Sequence, residues 1–479
     1  MKKPNFLFLF SDQHNPAYLG CQGHPLISTP NLDKLAAEGV LFDQTYCQNP
    51  LCVPSRASMM TGLYSKNIGL YENRHIIPHQ SQTIARVLTE HGYKTCAIGK
   101  THVNGEQYQG FSQRPYGDLW GQAHQPDPAR TPEKGETGLG DIVAESGPSG
   151  IPPALTQTEI CVSEAARWLQ LYKGTDCQNP FFLYVGFDKP HFPINPPRKY
   201  YDRYRDRVSL PKQTCDYVRE KATPFVREAA EVNGVWEHYG KDEELHLQTL
   251  AAYCGCVEWV DDAVGRIVEV LDYLGLGEDT IVIYASDHGE MAYQKGFWQK
   301  TVFFEQSAKV PLIFRAPQRF TGARKSEFLT GLVDLMPTIC SFAGIKIPES
   351  CDGIDLSGYL SDGQTPEREE IFSESVVIDR PEHAGCMLRT GKWKYCYYLD
   401  GEQELYDLEK DPDENENLSR SKAHEDLLTE FREKVIAFWE PDKQLDRFKR
   451  TPIMPTHKHE YPFSNQFVCA DGLIVDGRP

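Results

Sequence analysis

Three stretches of the chain are apolar at almost every position and then turn abruptly polar: Asn5 to Ser11, Pro180 to Gly186 and Thr280 to Ala285. A run without alternation is buried on both faces, as in the central strands of an α/β sheet. Lys94 to Ile98 and Val310 to Arg315 read as further strands, and Leu41 to Thr45 leads back to the sheet. Between them the period becomes helical, over Thr83 to His91, Thr156 to Tyr172, Asp242 to Leu274 and Val333 to Ala343. Thr29-Pro30 opens another helix and Gly39 ends it. Strands alternating with helices predict an α/β fold with a large sheet between helical layers.

Each strand ends in residues that carry chemistry. Asn5 to Ser11 is followed by Asp12, Gln13 and His14, and Lys94 to Ile98 by Gly99-Lys100-Thr101-His102. Pro180 to Gly186 runs on to Lys189-Pro190-His191, and Thr280 to Ala285 to Ser286-Asp287-His288-Gly289-Glu290, with Lys300 soon after. Open α/β sheets bind ligands at the C-terminal ends of their strands. Glu106 to Pro153 and Pro196 to Trp236 lack periodicity, and both read as insertions over such a site that help to choose substrate. Past a polar break near Asp362 to Arg368, short alternating stretches and one helix, Ala423 to Trp439, predict a small antiparallel sheet with a helix. We divide the chain into residues 1–365 and a smaller domain of 366–479, and read Asp442 to Pro479 as a tail with little helical pattern.

The 479 residues can bury a large core, and a charged fraction of 25% is that of a globular protein. A net charge of −18 disfavours nucleic acid and membrane surfaces as partners. No apolar run reaches the roughly 18 residues that a membrane span needs. Met1-Lys2-Lys3 precedes too few apolar residues for a secretory signal, so the expected location is cytoplasmic, or periplasmic or secreted if a signal has been removed. The 14 cysteines contain no Cys-x-x-Cys pair, and Cys254 and Cys256 fall on different faces of a helix, so most thiols are expected to be reduced and structural.

One cysteine stands apart. Pro50 to Gly62 reads Pro-Leu-Cys-Val-Pro-Ser-Arg-Ala-Ser-Met-Met-Thr-Gly. The prolines bend the chain around Cys52, and Ser55 is placed to cap a helix running to Thr61. Cys52 would then face a helix N-terminus that acidifies its thiol. Cys-x-Pro-Ser-Arg-x-x-x-Met-Thr-Gly resembles the signature of the type I sulfatases, formylglycine-dependent members of the alkaline phosphatase superfamily, and the strand-end motifs follow in the order of that family. The resemblance implies an alkaline-phosphatase-like fold and oxidation of Cys52 to formylglycine by a maturation enzyme. The hydrated aldehyde would attack sulfur and later expel sulfate.

By the same resemblance Asp12, Gln13, Asp287 and His288, with the modified Cys52, would bind one divalent cation. Calcium is the family's usual ion. Gln13 in place of a second Asp removes a charge and His288 offers a nitrogen, which leaves manganese or magnesium open. Arg56 and Lys100 would hold the hydrated aldehyde and Lys300 the sulfate oxygens. His102 would serve renewal of the aldehyde, and His191 would protonate the leaving alcohol. Thr101 replaces the family's usual Trp. The expected activity is hydrolysis of a sulfate monoester, of a carbohydrate or another small alcohol. The Asp-Gln and Asp-His pairs also resemble those of phosphonate monoester hydrolases, which gives phosphonate monoester or phosphodiester hydrolysis as the alternative. With Cys52 unmodified the chain would be a silent binding protein. Beyond substrate and maturation enzyme, the tail could join subunits of a homo-oligomer.

Overall fold

The computed structural model describes residues 3–103, 108–117, 143, 145–175, 178–211, 218, 221–238, 243–320 and 324–451, together with the strands Gln466–Val468 and Ile474–Asp476. The strands of the larger sheet are β1 (Asn5–Asp12), β2 (Val40–Tyr46), β3 (Lys94–Gly99), β4 (Gln113–Tyr116), β5 (Phe181–Pro190), β6 (Thr280–Ser286), β7 (Leu312–Arg315) and β8 (Arg324–Gly331), in spatial order β4-β3-β5-β1-β6-β7-β2-β8. β1 lies parallel to both β5 and β6, and β3 parallel to β5. β7 alone runs against its neighbours β6 and β2, so β2 points the same way as β6. The C-terminal ends of β1, β2, β3, β5 and β6 therefore share one edge.

β1 shows why the apolar run lacks alternation. Phe6, Phe8 and Phe10 enter the core on one face, and Leu7 and Leu9 the core on the other. On the first face they meet the helices Cys52–Thr61, Ile84–Glu90 and Leu335–Ala343. On the second they meet Gln157–Thr175 and Glu243–Tyr273. A strand packed on both sides has no solvent face on which to place polar residues.

A second, antiparallel sheet has the order β12-β11-β10-β9, formed by β9 (Glu370–Val377), β10 (Arg380–Thr390), β11 (Trp393–Tyr398) and β12 (Gln403–Asp407). The helix Glu425–Trp439 covers one face with Phe431, Val435 and Trp439. Met387, Cys396 and Tyr398 on the other face pack with Phe225 and Phe303 of the larger unit. Ser375 Oγ donates to the Thr301 carbonyl at 2.6 Å, and the Glu374 N–H to the Gln48 carbonyl at 2.8 Å. The small sheet thus braces the segments that flank Cys52 and follow Lys300.

Several expectations change. β4 and β8 are additional strands; β8, at the sheet edge, has the mixed composition Arg-Lys-Ser-Glu-Phe-Leu-Thr-Gly that hides an edge strand in sequence. Pro196 to Trp236 contains the helices Arg198–Tyr201 and Pro224–Val232, so it is not irregular throughout. The tail begins as a helix, Pro441–Arg450, whose Gln444 is buried and donates to the Trp439 carbonyl. Most of the Glu106 to Pro153 insertion, and the tail after residue 451 apart from its two short strands, lie outside the described residues. Among the described residues no helix is long and apolar enough to cross a membrane.

Candidate active site

The parallel strands deliver their terminal residues to one point. Asp12 closes β1, and its carbonyl accepts the His191 N–H at 3.1 Å, which ties the end of β5 to that of β1. Lys100 follows β3, and its N–H donates to the Gly186 carbonyl at 2.9 Å. A Cβ at Gly186 would stand 1.9 Å from the Lys100 carbonyl oxygen, so only glycine lets these strands approach. Asp287 and His288 follow β6. β2 hands the chain to a turn in which the Pro50 carbonyl accepts the Thr301 N–H at 3.1 Å, and Cys52 comes next.

The Cys52 helix differs from the sequence reading in its start. It begins at Cys52 itself, with Leu51 extended before it, and all its residues are buried. Pro54 still falls in the first turn, where a missing N–H costs no intrahelical bond. Ser55 does not cap this helix. Its Oγ donates to the Asp287 carbonyl at 2.5 Å, and Asn73 Oδ1 accepts the Val53 N–H at 3.1 Å instead.

Cys52 Sγ lies 3.1 Å from His288 Nε2 and 3.9 Å from Asp12 Oδ1. One ligand atom each from Asp12, Cys52, Asp287 and His288 can be drawn within 4.8 Å of one another, all buried. Two carboxylates, an imidazole and the residue-52 side chain at that spacing fit a divalent cation. Arg56 braces the group: Nη2 lies 2.9 Å from Asp12 Oδ2, Nε 2.8 Å from Asp287 Oδ2, and Nη1 3.1 Å from both Tyr184 Oη and the Lys100 carbonyl. Its guanidinium is engaged by the carboxylates, not presented as a free cation. Lys100 Nζ lies 2.7 Å from Asp12 Oδ2. Lys300 Nζ lies 2.7 Å from Gln13 Oε1 and 3.0 Å from His191 Nε2. Gln13 Nε2 donates to Glu290.

Electrostatics follow from burial and these pairs. Burial would raise the Asp12 carboxyl, but Lys100 first, then His191 and Arg56, hold it well below the usual range. Lys100 is raised against the same burial, chiefly by Asp12. The Cys52 thiol is pushed up to about 12, by burial and then by the Asp12 charge. This reverses the expected acidification: the helix end is outweighed by desolvation and a neighbouring anion. His102 is driven well below its ordinary value by burial and by Lys100, and His191 by burial and Lys300, so both rings are neutral. His288 falls to about 4 through burial, which suits a ligand that must bind unprotonated.

All ten candidate residues gather at this edge. His14, also near in sequence, does not join them; its Nδ1 lies 2.6 Å from Tyr284 Oη and its Nε2 3.3 Å from the Tyr18 carbonyl. Sequence reasoning missed Asn73, Tyr184, Tyr253 and the part played by Glu290. Glu290 alone had a signal, three residues past Asp287; the others arrive through folding from unremarkable surroundings.

A family profile described as Sulfatase matches residues 4–345, and one described as N-sulphoglucosamine sulphohydrolase, C-terminal, matches residues 293–440. The Arylsulfatase of Clostridium perfringens is 30% identical over 462 residues, covering 91% of this chain and 94% of that protein. The Choline-sulfatase of Rhizobium meliloti is 28% identical, covering 91% and 87%. In fold, the crystal structure of the phosphonate monoester hydrolase of Agrobacterium radiobacter superposes with a TM-score of 0.76 at 24% identity, over 99% of this chain and 100% of that one.

Proposed function

The chain belongs to the sulfatase family and is a sulfuric ester hydrolase; on that premise we propose that residue 52, matured to formylglycine, is its nucleophilic position and that a carbohydrate sulfate monoester is its substrate. The observation that carries this reading is Cys52 Sγ 3.1 Å from His288 Nε2, at a sheet edge where Lys100 and Lys300 are also buried. A sugar is favoured as the alcohol because residues 293–440 match the N-sulphoglucosamine sulphohydrolase profile. The two insertions also carry many Tyr, Trp, Gln and Arg residues.

Asp12, Gln13, Asp287 and His288, with position 52, would hold one divalent cation; their oxygens suit calcium or magnesium, and the added nitrogen and lower charge suit manganese. When present, the cation and the hydrated aldehyde together supply an oxygen nucleophile at neutral pH. Arg56 fixes the spacing of Asp12 and Asp287. Lys100 and Lys300 stabilise charge that gathers on the sulfate oxygens, in a buried setting where such interactions are strong. As the S–O bond to the alcohol breaks, the His191–Lys300 pair delivers a proton to the departing oxygen. His102 accepts a proton in the later step that frees sulfate.

A second reading is phosphonate monoester hydrolysis. It is favoured by Gln13 and His288 at the cation site, and such a substrate is also a tetrahedral monoanion with one ester oxygen. Matched sulfate, phosphate and phosphonate esters of one alcohol, assayed side by side, decide between them. The sulfate ester should show the highest kcat/KM. Faster turnover of the phosphonate would favour the second reading, and no turnover of any ester by matured protein would refute both.

A further inference from the structure

Gln13 differs from the other candidate ligands in having two unlike corners. A carboxylate can offer either oxygen to a cation, whereas a carboxamide turned the wrong way offers hydrogens. Here two neighbours choose. Lys300 Nζ, which can only donate, faces Gln13 Oε1 at 2.7 Å. Glu290 accepts from Gln13 Nε2 at the other corner. Glu290 is itself held by donors: its Oε1 accepts the N–H groups of Ala292 at 2.9 Å and Gln299 at 2.7 Å, which leaves Oε2 for the amide.

The backbone of Gln13 is clamped as well. It sits at φ 66, a left-handed conformation that is costly for a residue with a side chain and persists only where neighbours fix it. Its N–H donates to Asp287 Oδ1 at 3.0 Å, and its carbonyl accepts from Tyr253 Oη at 2.9 Å. Tyr253 Oη in turn accepts the Asn15 N–H at 3.0 Å, and Asn15 Nδ2 donates to the Glu290 carbonyl at 2.8 Å. Glu290 thus meets the Gln13 segment at both its side chain and its main chain.

We infer that Glu290 is a positioning residue of the cation site: it requires an amide at position 13 and turns that amide's oxygen inward. This rests on the reading of Gln13 as a cation ligand. Positions 13 and 290 are then one matched donor–acceptor pair. A carboxylate at position 13 would set two buried anions against each other, a contact relieved only by taking up a proton or by moving the two groups apart. The Glu290→Gln amide would keep its oxygen on the N–H groups of Ala292 and Gln299 and turn its NH2 towards Gln13, forcing the Gln13 amide to flip. Changed together, Gln13→Glu and Glu290→Gln exchange donor for acceptor and restore the match.

All three variants are isosteric, and circular dichroism confirms folding before Mn2+ is titrated into each protein with the free ion followed by electron paramagnetic resonance. Removing a residue that orients a ligand typically weakens metal binding about 10- to 100-fold, and each single variant should lose affinity in that range. The double variant should return to within about threefold of the parent, far from additive. Additive losses, or a Glu290→Gln protein that binds Mn2+ as the parent does, would overturn the inference while leaving the cation site standing. A parent protein that binds no Mn2+ would overturn both.

Discussion

The ammonium of Lys300 stands 3.0 Å from Nε2 of His191, while the other ring nitrogen, Nδ1, lies 2.7 Å from the Phe192 carbonyl. A carbonyl can only accept, so Nδ1 carries the ring proton and Nε2 accepts from Lys300. Neutral His191 thus has no N–H left for a leaving oxygen; within the pair the transferable proton sits on the Lys300 ammonium, which His191 Nε2 holds in place.

General acid help matters most for a poor leaving group. His191→Ala should slow a sugar or alkyl sulfate by about 10²- to 10⁴-fold and a nitrophenyl sulfate far less. Equal losses would assign His191 to sulfate binding alone. His102→Ala should show the opposite pattern, a burst of alcohol in the first turnover followed by a slow steady rate with either substrate.

Arg56 joins two carboxylates that no solvent reaches. Arg56→Met leaves both uncompensated at one end, and removal of one partner from a buried ion pair costs about 3–5 kcal/mol. The urea midpoint should fall accordingly. Excess Mn2+ should recover part of the loss, because a bound cation offsets the same charges. A midpoint unchanged from the parent would contradict the bracing role.

Much of this arrangement is legible in the sequence, for physical reasons. Phe6 to Phe10 must be buried on both faces, so β1 is recognisable and its end locates Asp12. The Cys52 motif is local chemistry and survives without coordinates. Less visible are features that depend on what folding brings alongside. Nothing near Asn73 reveals that it caps the Cys52 helix, and nothing near Tyr253 reveals that it holds the Gln13 backbone. The thiol's basicity is hidden in sequence because a helix end is visible there whereas burial beside Asp12 is not. β8 is hidden in sequence because edge strands are polar enough to pass for loops.

Glu374, on β9, is buried; its Oε1 accepts the Lys66 N–H at 2.9 Å, and burial pushes its carboxyl up to about 7. The unfolded chain titrates this group near its ordinary value of about 4.3. With the folded value raised, the unfolded state loses its proton first as pH rises. Glu374 therefore destabilises the fold progressively between about pH 4.3 and about 7, by a total on the order of 3 kcal/mol. Glu374→Gln should remove that dependence, so the difference in urea midpoint between variant and parent grows as pH is raised through this window. A difference that stays constant would contradict the burial argument.

The central claim is that residue 52 acts as formylglycine. Peptide mass spectrometry of the fragment containing residue 52, run on preparations whose activity differs with the degree of maturation, tests it directly. The fragment should be lighter than the cysteine peptide, activity should rise in proportion to the converted fraction, and Cys52→Ala should retain almost none. A fully active preparation in which residue 52 is entirely cysteine would contradict the account.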